Sequence, residues 1–286
     1  MTMTTPAAQL PAKHHRNRRQ QTLLGIAICA LFLLAVILST WVIGDDGLSP
    51  VLAQRNQSPA LAHPFGTDWL GRDMFSRSLY GMSLSLRIGL LAAAISALIG
   101  TGLGLAAGTL GGWVDAVIIW IVDVFFSLPH LVLLILIAFA AGGGTTGVII
   151  AVALTHWTSL ARVIRAEVLQ VNSSDYVQIS HRLGRSPFWI ARHHMVPHII
   201  PQLLVGLILL FPHAILHEAA LSFIGIGLSP HIPAIGIILA ESMRHLSTGY
   251  WWLGVMPGLL LLLSVKAFDW LGENVRALLD PKTSQG

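Results

Sequence analysis

The sequence predicts an all-α polytopic membrane protein that crosses the bilayer six times. Hydrophobic residues make up 54% of the 286 residues and charged residues only 10%, and the mean hydropathy is +0.72. A water-soluble domain of this length does not need such an excess of apolar side chains. Six apolar stretches are long enough, at about 20 residues, to cross about 30 Å of hydrocarbon as helices. Their approximate bounds are 22–43, 84–110, 114–139, 146–168, 199–224 and 251–273.

The first stretch follows a basic tail, residues 1–21, and this arrangement resembles a secretory signal peptide. The apolar run from Thr22 to Ile43 is too long for a signal peptide, and no small-residue cleavage site follows it. We therefore expect a retained first membrane span. The single cysteine, Cys29, lies inside this run, so neither a disulfide framework nor a thiolate metal cage is available.

Positive charge predicts the orientation of the chain. Most arginines and lysines fall in the N-terminal tail, in residues 162–192 and in the C-terminal tail, residues 274–286. Because basic residues concentrate on the cytoplasmic side of a membrane, we expect these segments and both termini there. The pI near 9.7 then reflects membrane orientation, with lipid rather than nucleic acid as the partner.

The loop between the first two spans, residues 44–83, is expected outside the cytoplasm with an interfacial helix from Thr67 to Tyr80. Thr67 and Asp68 are typical of a helix start. Four apolar side chains of this helix could lie on the membrane surface: Trp69, Leu70, Phe75 and Leu79. The remaining five spans form a core domain over residues 84–273.

Two features of the second and third spans concern packing. Gly100, Gly104 and Gly108 recur every four residues, so they line one helix face where another backbone can approach closely. Pro129 lies inside the third span, which it is expected to bend.

A short amphipathic helix is predicted between the fourth and fifth spans, over about residues 174–184. Ser174 or Asp175 would cap its start, and Gly184 can take the left-handed conformation that ends it. Held between two spans, such a helix can dock in a groove of a soluble partner. The residues expected to carry this contact are Asp175, Tyr176, Val177, Gln178, His181, Leu183, Gly184 and Pro197.

This segment resembles the "EAA" loop of binding-protein-dependent ATP-binding cassette (ABC) importers, in which a glycine stands thirteen residues before a proline. The matching residues are Gly184 and Pro197, and Tyr176 and Leu183 also fit, although Gln178-Ile179-Ser180 replaces Glu-Ala-Ala. In that family the loop is the coupling helix, which receives the stroke of the ATPase. The resemblance implies the same role here.

Three further stretches look like the peptide, opine and nickel branch of these importers, so the resemblance covers most of the chain. They run from His63 to Leu86, from Glu218 to Leu228 and from Trp252 to Pro281. The resemblance implies the six-helix transmembrane domain of a type I ABC importer in a bacterial inner membrane, working by alternating access.

The same resemblance implies the partners. A second, related permease subunit would complete the passage, two cytoplasmic ATPases would bind ATP and Mg²⁺, and an extracytoplasmic binding protein would deliver the substrate. No cofactor is expected on this chain. The sequence itself also indicates that ATP binds to partner subunits. No glycine directly precedes any of the three lysines, so the sequence lacks a phosphate-binding loop.

The substrate is predicted from residues 230–243. Peptide importers of this branch usually carry Pro-x-Pro-x-Trp-Gly after the fifth span, whereas this chain has Pro230-His231-Ile232-Pro233-Ala234-Ile235-Gly236. This sequence pattern looks more like the corresponding pattern of nickel importers, in particular that of their second permease subunit. We therefore expect import of nickel or a nickel-like metal chelate, with di- or oligopeptide import as the alternative.

Histidines in the fifth span could contact a metal directly. His213 and His217 are four residues apart, which places them on one helix face, and neutral imidazole suits Ni²⁺. The alternative is that each hydrogen-bonds another helix. Further candidates are His156, His231 and His245, whereas His14-His15 and His193-His194 are expected to be solvated.

Charged residues within spans are costly in lipid, by several kcal/mol. Glu218 and Asp123 are therefore expected either to line the substrate passage or to pair with another helix, and Lys266 can reach the headgroups. An intramembrane enzyme or a channel is the remote alternative. His217-Glu218 begins like a zinc-protease helix, but Leu221 stands where the second zinc ligand would be.

Overall fold

The computed structural model describes residues 18–44, 46–229 and 231–279, and their regular structure is helical, with no β-strand among them. Several residues with sequence-based predictions lie outside the described residues: Lys13, His14, His15, Arg16, Pro230 and the tail from Asp280 onward. The α-helices are α1 (Arg18–Ile43), α2 (Met74–Leu110), α3 (Gly112–Ser127), α4 (His130–Ala140), α5 (Gly144–Asn172), α6 (Asp175–Arg182), α7 (Pro187–Ile190), α8 (Val196–Phe223), α9 (Ile235–Met243) and α10 (Trp252–Leu279).

Five of the helical segments are long and apolar enough to cross a membrane, and the bent pair α3 and α4 makes a sixth if it counts as one span. The predicted third span is therefore broken rather than gently bent, with 102° between its halves. Leu128 has an extended backbone, with ψ of 143°. Proline disfavours helical geometry in the residue before it and lacks an N–H, so Pro129 ends α3 and starts α4 afresh.

The second long helix begins earlier than predicted and absorbs most of the expected interfacial helix. At 37 residues, α2 is about 55 Å long, which exceeds the hydrocarbon thickness. Neither Thr67 nor Asp68 caps it. Instead Asp73 is the N-cap, and its carboxylate accepts the Ser76 N–H at 2.8 Å. A tight turn precedes it, with Gly71 at a φ of +76°.

The centre of the bundle is α2, which packs against α5 and α8, while α1 lies against α10 and α2. The three glycines predicted to line one face of α2, Gly100, Gly104 and Gly108, lie against α5. A Cβ added at Gly104 would lie 2.6 Å from the Ala161 carbonyl oxygen, and one at Gly100 would lie 2.7 Å from that of Trp157. A Cβ added at Gly108 would lie 2.6 Å from Cγ1 of Val168. The helices therefore touch at their backbones, as small residues permit.

Candidate functional site

The segment between α5 and α8 folds as the short helix α6, a tight turn and the start of a second helix. Gly184 ends α6 with a φ of +76°. Ser174 is at the N-cap position, but its hydroxyl donates to the Val171 carbonyl at 2.6 Å, and no described side chain caps the helix start. Gln178 instead ties α6 to the end of α5, because its amide donates to the Asn172 carbonyl at 2.7 Å.

One face of α6 is buried, and the rest presents apolar side chains to the surroundings. Val177 is fully buried, whereas Tyr176, Ile179 and Leu183 are 50%, 55% and 74% exposed. Apolar side chains grouped on a short exposed helix are typical of a docking surface. Of the residues predicted for this contact, the exposed ones are Asp175, Tyr176, Gln178, His181, Leu183, Gly184 and Pro197.

Aromatic contacts join α6 to the turn that leads into α8. The rings of Tyr176 and His194 lie 5.4 Å apart, and Trp189 stacks on His193 at 4.3 Å. A π-helical turn, Ala191–Met195, connects α7 to α8. Pro197 accounts for it, since proline donates no backbone hydrogen bond and crowds the carbonyl one turn earlier. The segment is thus tied to both flanking helices. His193 is exposed, but His194 is partly buried, contrary to expectation.

A buried ion network lies where α2 begins. Asp68 is fully buried, and its carboxylate accepts from Arg72 Nε at 2.6 Å and Arg77 Nη1 at 2.8 Å. The backbone N–H groups of Leu70 and Arg72 add two bonds of 2.9 Å. Arg77 also donates to Glu241 at 2.9 Å. Sequence reasoning missed this network, although opposite charges in a charge-poor chain signal such pairing.

Two of the candidate histidines lie beside this network rather than within the bundle. His231 and Pro233 line a cleft of about 440 Å³ next to Arg77. His245 stacks on Trp69, with 4.4 Å between ring centroids. Among the described residues, neither belongs to a group of side chains that could hold a metal ion.

Three other histidines do meet, each from a different helix. His130 is the first residue of α4, His156 lies within α5 and His217 lies within α8. Their ring centroids are 4.8 to 5.0 Å apart, and one nitrogen from each lies within 4.8 Å of the others. His156 is buried, His217 partly buried and His130 exposed. The group therefore opens onto the surface of the chain.

This group differs from the predicted pair. His217 belongs to it, but His213 is exposed and lies outside it. The prediction missed His130. The available signal was its position directly after Pro129, where the helix is interrupted and starts again in a new direction.

Glu218 is fully buried. Its Oε1 accepts the Ser222 hydroxyl at 2.8 Å. The Ser85 hydroxyl of α2 faces the same carboxyl, but neither it nor Oε2 has a well-aligned partner among the described residues. Glu218 thus lies inside the bundle, and its role along a substrate passage stays a prediction.

The two other charged residues singled out within spans, Asp123 and Lys266, both have ionic partners. Asp123 of α3 pairs with Arg162 of α5. Asp115 of α3 accepts from Arg165 of α5, at 2.5 Å from Nε, so two ion pairs join these helices. Lys266 lies 3.4 Å from Asp269 on its own helix, and both are exposed.

The profile of binding-protein-dependent transport system inner membrane components matches residues 100–283. The chain belongs to this family. The importer permease is thus a multi-pass inner-membrane subunit and not an enzyme, and ATP is hydrolysed by separate ATPase subunits.

Curated relatives of this permease extend over nearly its whole length. It is 35% identical to the dipeptide transport system permease protein DppC of Bacillus subtilis, over 90% of this chain and 82% of that one. It is 36% identical to the probable D,D-dipeptide transport system permease protein DdpC of Escherichia coli, over 91% and 87% of the two chains.

The fold of the permease also matches a solved structure. A chain of the MetNI methionine ABC transporter, in inward-facing conformations, superposes with a TM-score of 0.58 at 19% identity. The match covers 72% of this chain and 98% of that chain. The predicted all-α, type I importer fold is thereby confirmed.

Proposed function

We propose that this permease subunit passes short peptides into the cytoplasm as part of an ATP-driven importer. The observation that carries the proposal is the naming of the two curated relatives, both for dipeptide transport, at 35% and 36% identity over at least 90% of the chain. Neither relative is named for nickel, so the nickel interpretation of residues 230–243 has no support. Peptide import, the alternative from the sequence, takes its place.

In this proposal α6 faces the cytoplasm and is the contact with the motor. Tyr176, Ile179 and Leu183 would fill an apolar groove on one of two ATPase subunits, while the buried Val177 transmits movement to the bundle. A second permease subunit would complete the passage, and an extracytoplasmic binding protein would dock near residues 46–73. ATP binding would then close the ATPases and swing the two bundles.

Uptake in cells tests the substrate. Deletion of the gene for this subunit should abolish uptake of a radiolabelled dipeptide and leave uptake of radioactive nickel unchanged. A plasmid copy of the wild-type gene should restore peptide uptake. Loss of nickel uptake with normal uptake of di- and tripeptides would overturn the proposal and reinstate the nickel interpretation.

A further inference from the structure

The histidine group at the junction of α4, α5 and α8 has the donor set of a metal site. We propose that His130, His156 and His217 bind one divalent transition-metal ion of the Zn²⁺ or Ni²⁺ class. Of the described residues, these three alone form a group of ligands that could hold an ion, and no carboxylate belongs to it. Imidazole nitrogen favours zinc, nickel and copper, whereas magnesium and calcium require oxygen.

The hydrogen bonding of His156 prepares it to be a ligand. Its Nδ1 lies 3.0 Å from the Val152 carbonyl oxygen and 3.0 Å from the Thr155 hydroxyl. A neutral imidazole that donates from Nδ1 to a carbonyl carries its free lone pair on Nε2. This arrangement orients metal-binding histidines and raises their basicity. In this tautomer the free nitrogen of His156 belongs to a buried ring that its Nδ1 contacts hold in place.

The distances are compatible with an ion after a small contraction. Tetrahedral bonds of about 2.05 Å put ligand nitrogens about 3.3 Å apart, whereas those of the three histidines lie within 4.8 Å of one another. The rings must therefore close by at most about 1.5 Å. His130 is exposed and stands at the first position of α4, so rotation of its side chain can supply most of that movement.

The placement of the ligands links an ion to conformational change. Each histidine comes from a different helix, and one of them follows the break in the third span. A bound ion would therefore join α4 to α5 and α8, and any movement that separates these helices would have to break a metal–nitrogen bond. We expect the ion to slow transport by restraining this junction. The site does not depend on which solute the importer carries.

Metal binding by the purified full chain tests the site. The protein is prepared in nanodiscs with a histidine-free tag, stripped with a chelator, and dialysed against Zn²⁺ or Ni²⁺ before the bound metal is counted by mass spectrometry. One ion per wild-type chain is expected. H130A should weaken the affinity for the ion by about 10- to 100-fold or more, because loss of a group that merely hydrogen-bonds a metal ligand already has an effect of that size.

Two controls separate the site from weak binding elsewhere, since the chain has thirteen histidines. His198 lies on α8, exposed and about 28 Å along the helix from His217, so H198A should bind metal like the wild type. H130A replaces an exposed side chain and should keep the wild-type melting temperature without metal. Equal stoichiometry and affinity in the wild type and in the H130A/H217A double variant would overturn the proposal.

Discussion

Arg77 of α2 and Glu241 of α9 form an ion pair of 2.9 Å between residues 164 positions apart in the sequence. Arg77 also binds the fully buried Asp68 at 2.8 Å. One guanidinium thus holds together the loop before α2, α2 itself and α9. In the proposed orientation these elements form the face that receives the binding protein, so their rigidity matters for delivery of the substrate.

Replacement of this arginine should destabilise the protein strongly. Arg77→Met leaves the buried Asp68 with only Arg72 as an ionic partner, and removing one partner of a buried pair costs about 3 kcal/mol or more. Thermal unfolding in detergent measures the loss. Lys266→Met is the matched control, because its ion pair with Asp269 is exposed and is worth less than about 1 kcal/mol. Equal effects of the two variants would contradict the buried network.

The contact between α2 and α5 predicts opposite results at two neighbouring glycines. Gly104→Ala places a methyl group 2.6 Å from the Ala161 carbonyl oxygen, so the helices must move apart, at a cost of about 1–3 kcal/mol. Gly102→Ala meets no atom within 4 Å and should be neutral or gain up to about 1 kcal/mol in helix propensity. Melting temperatures of the two variants distinguish these outcomes, and a stable Gly104→Ala variant would refute the close packing.

The docking role of α6 predicts a loss of coupling without a loss of folding. Leu183 is 74% exposed, so Leu183→Asp should fold normally but fail to seat in an apolar groove. Transport and substrate-stimulated ATP hydrolysis by the assembled importer should fall at least tenfold. Val177 is less suitable for this test, because it is fully buried and a charge there would damage the fold.

Leu278→Asp is the control for that experiment, since Leu278 is an exposed leucine near the end of α10 and lies outside the α6 segment. It should leave ATP hydrolysis unchanged. Normal transport by the Leu183→Asp variant would exclude Leu183 from the contact with the ATPase.

The buried carboxyl of Glu218 depends on one hydroxyl. Ser222→Ala removes the only well-aligned donor to that carboxyl among the described residues, and it also frees the Leu228 N–H, which donates to the same hydroxyl at 3.3 Å. We expect a loss of about 1–3 kcal/mol, the cost of a buried polar group without a partner. Ser127→Ala removes an exposed hydroxyl that donates to the Val124 carbonyl of its own helix, and the unfolding temperature of this variant should not change.

Local patterns predicted the helices well, and contacts between distant residues much less well. The apolar runs located every long helix because hydrophobicity is a property of each segment by itself. The residues around Asp68 predict a helix cap at this position. In the structure Asp68 instead binds Arg77 of α2, and the turn at Gly71 separates it from the start of that helix. Helical spacing predicts His213 and His217 as a pair of metal ligands, because spacing in the sequence reveals only neighbours on the same helix.

Residues close together in the chain were enough to predict a helical membrane protein, a glycine face on α2, a stop at Gly184 and a bend at Pro129. The meeting of His130 with His156 and His217, and of Arg77 with Asp68 and Glu241, emerged only from the packing of the helices. The physical reason is that these groups come from separate elements. Their meeting depends on the angle of the broken span and on how closely the helices pack, which no single segment encodes.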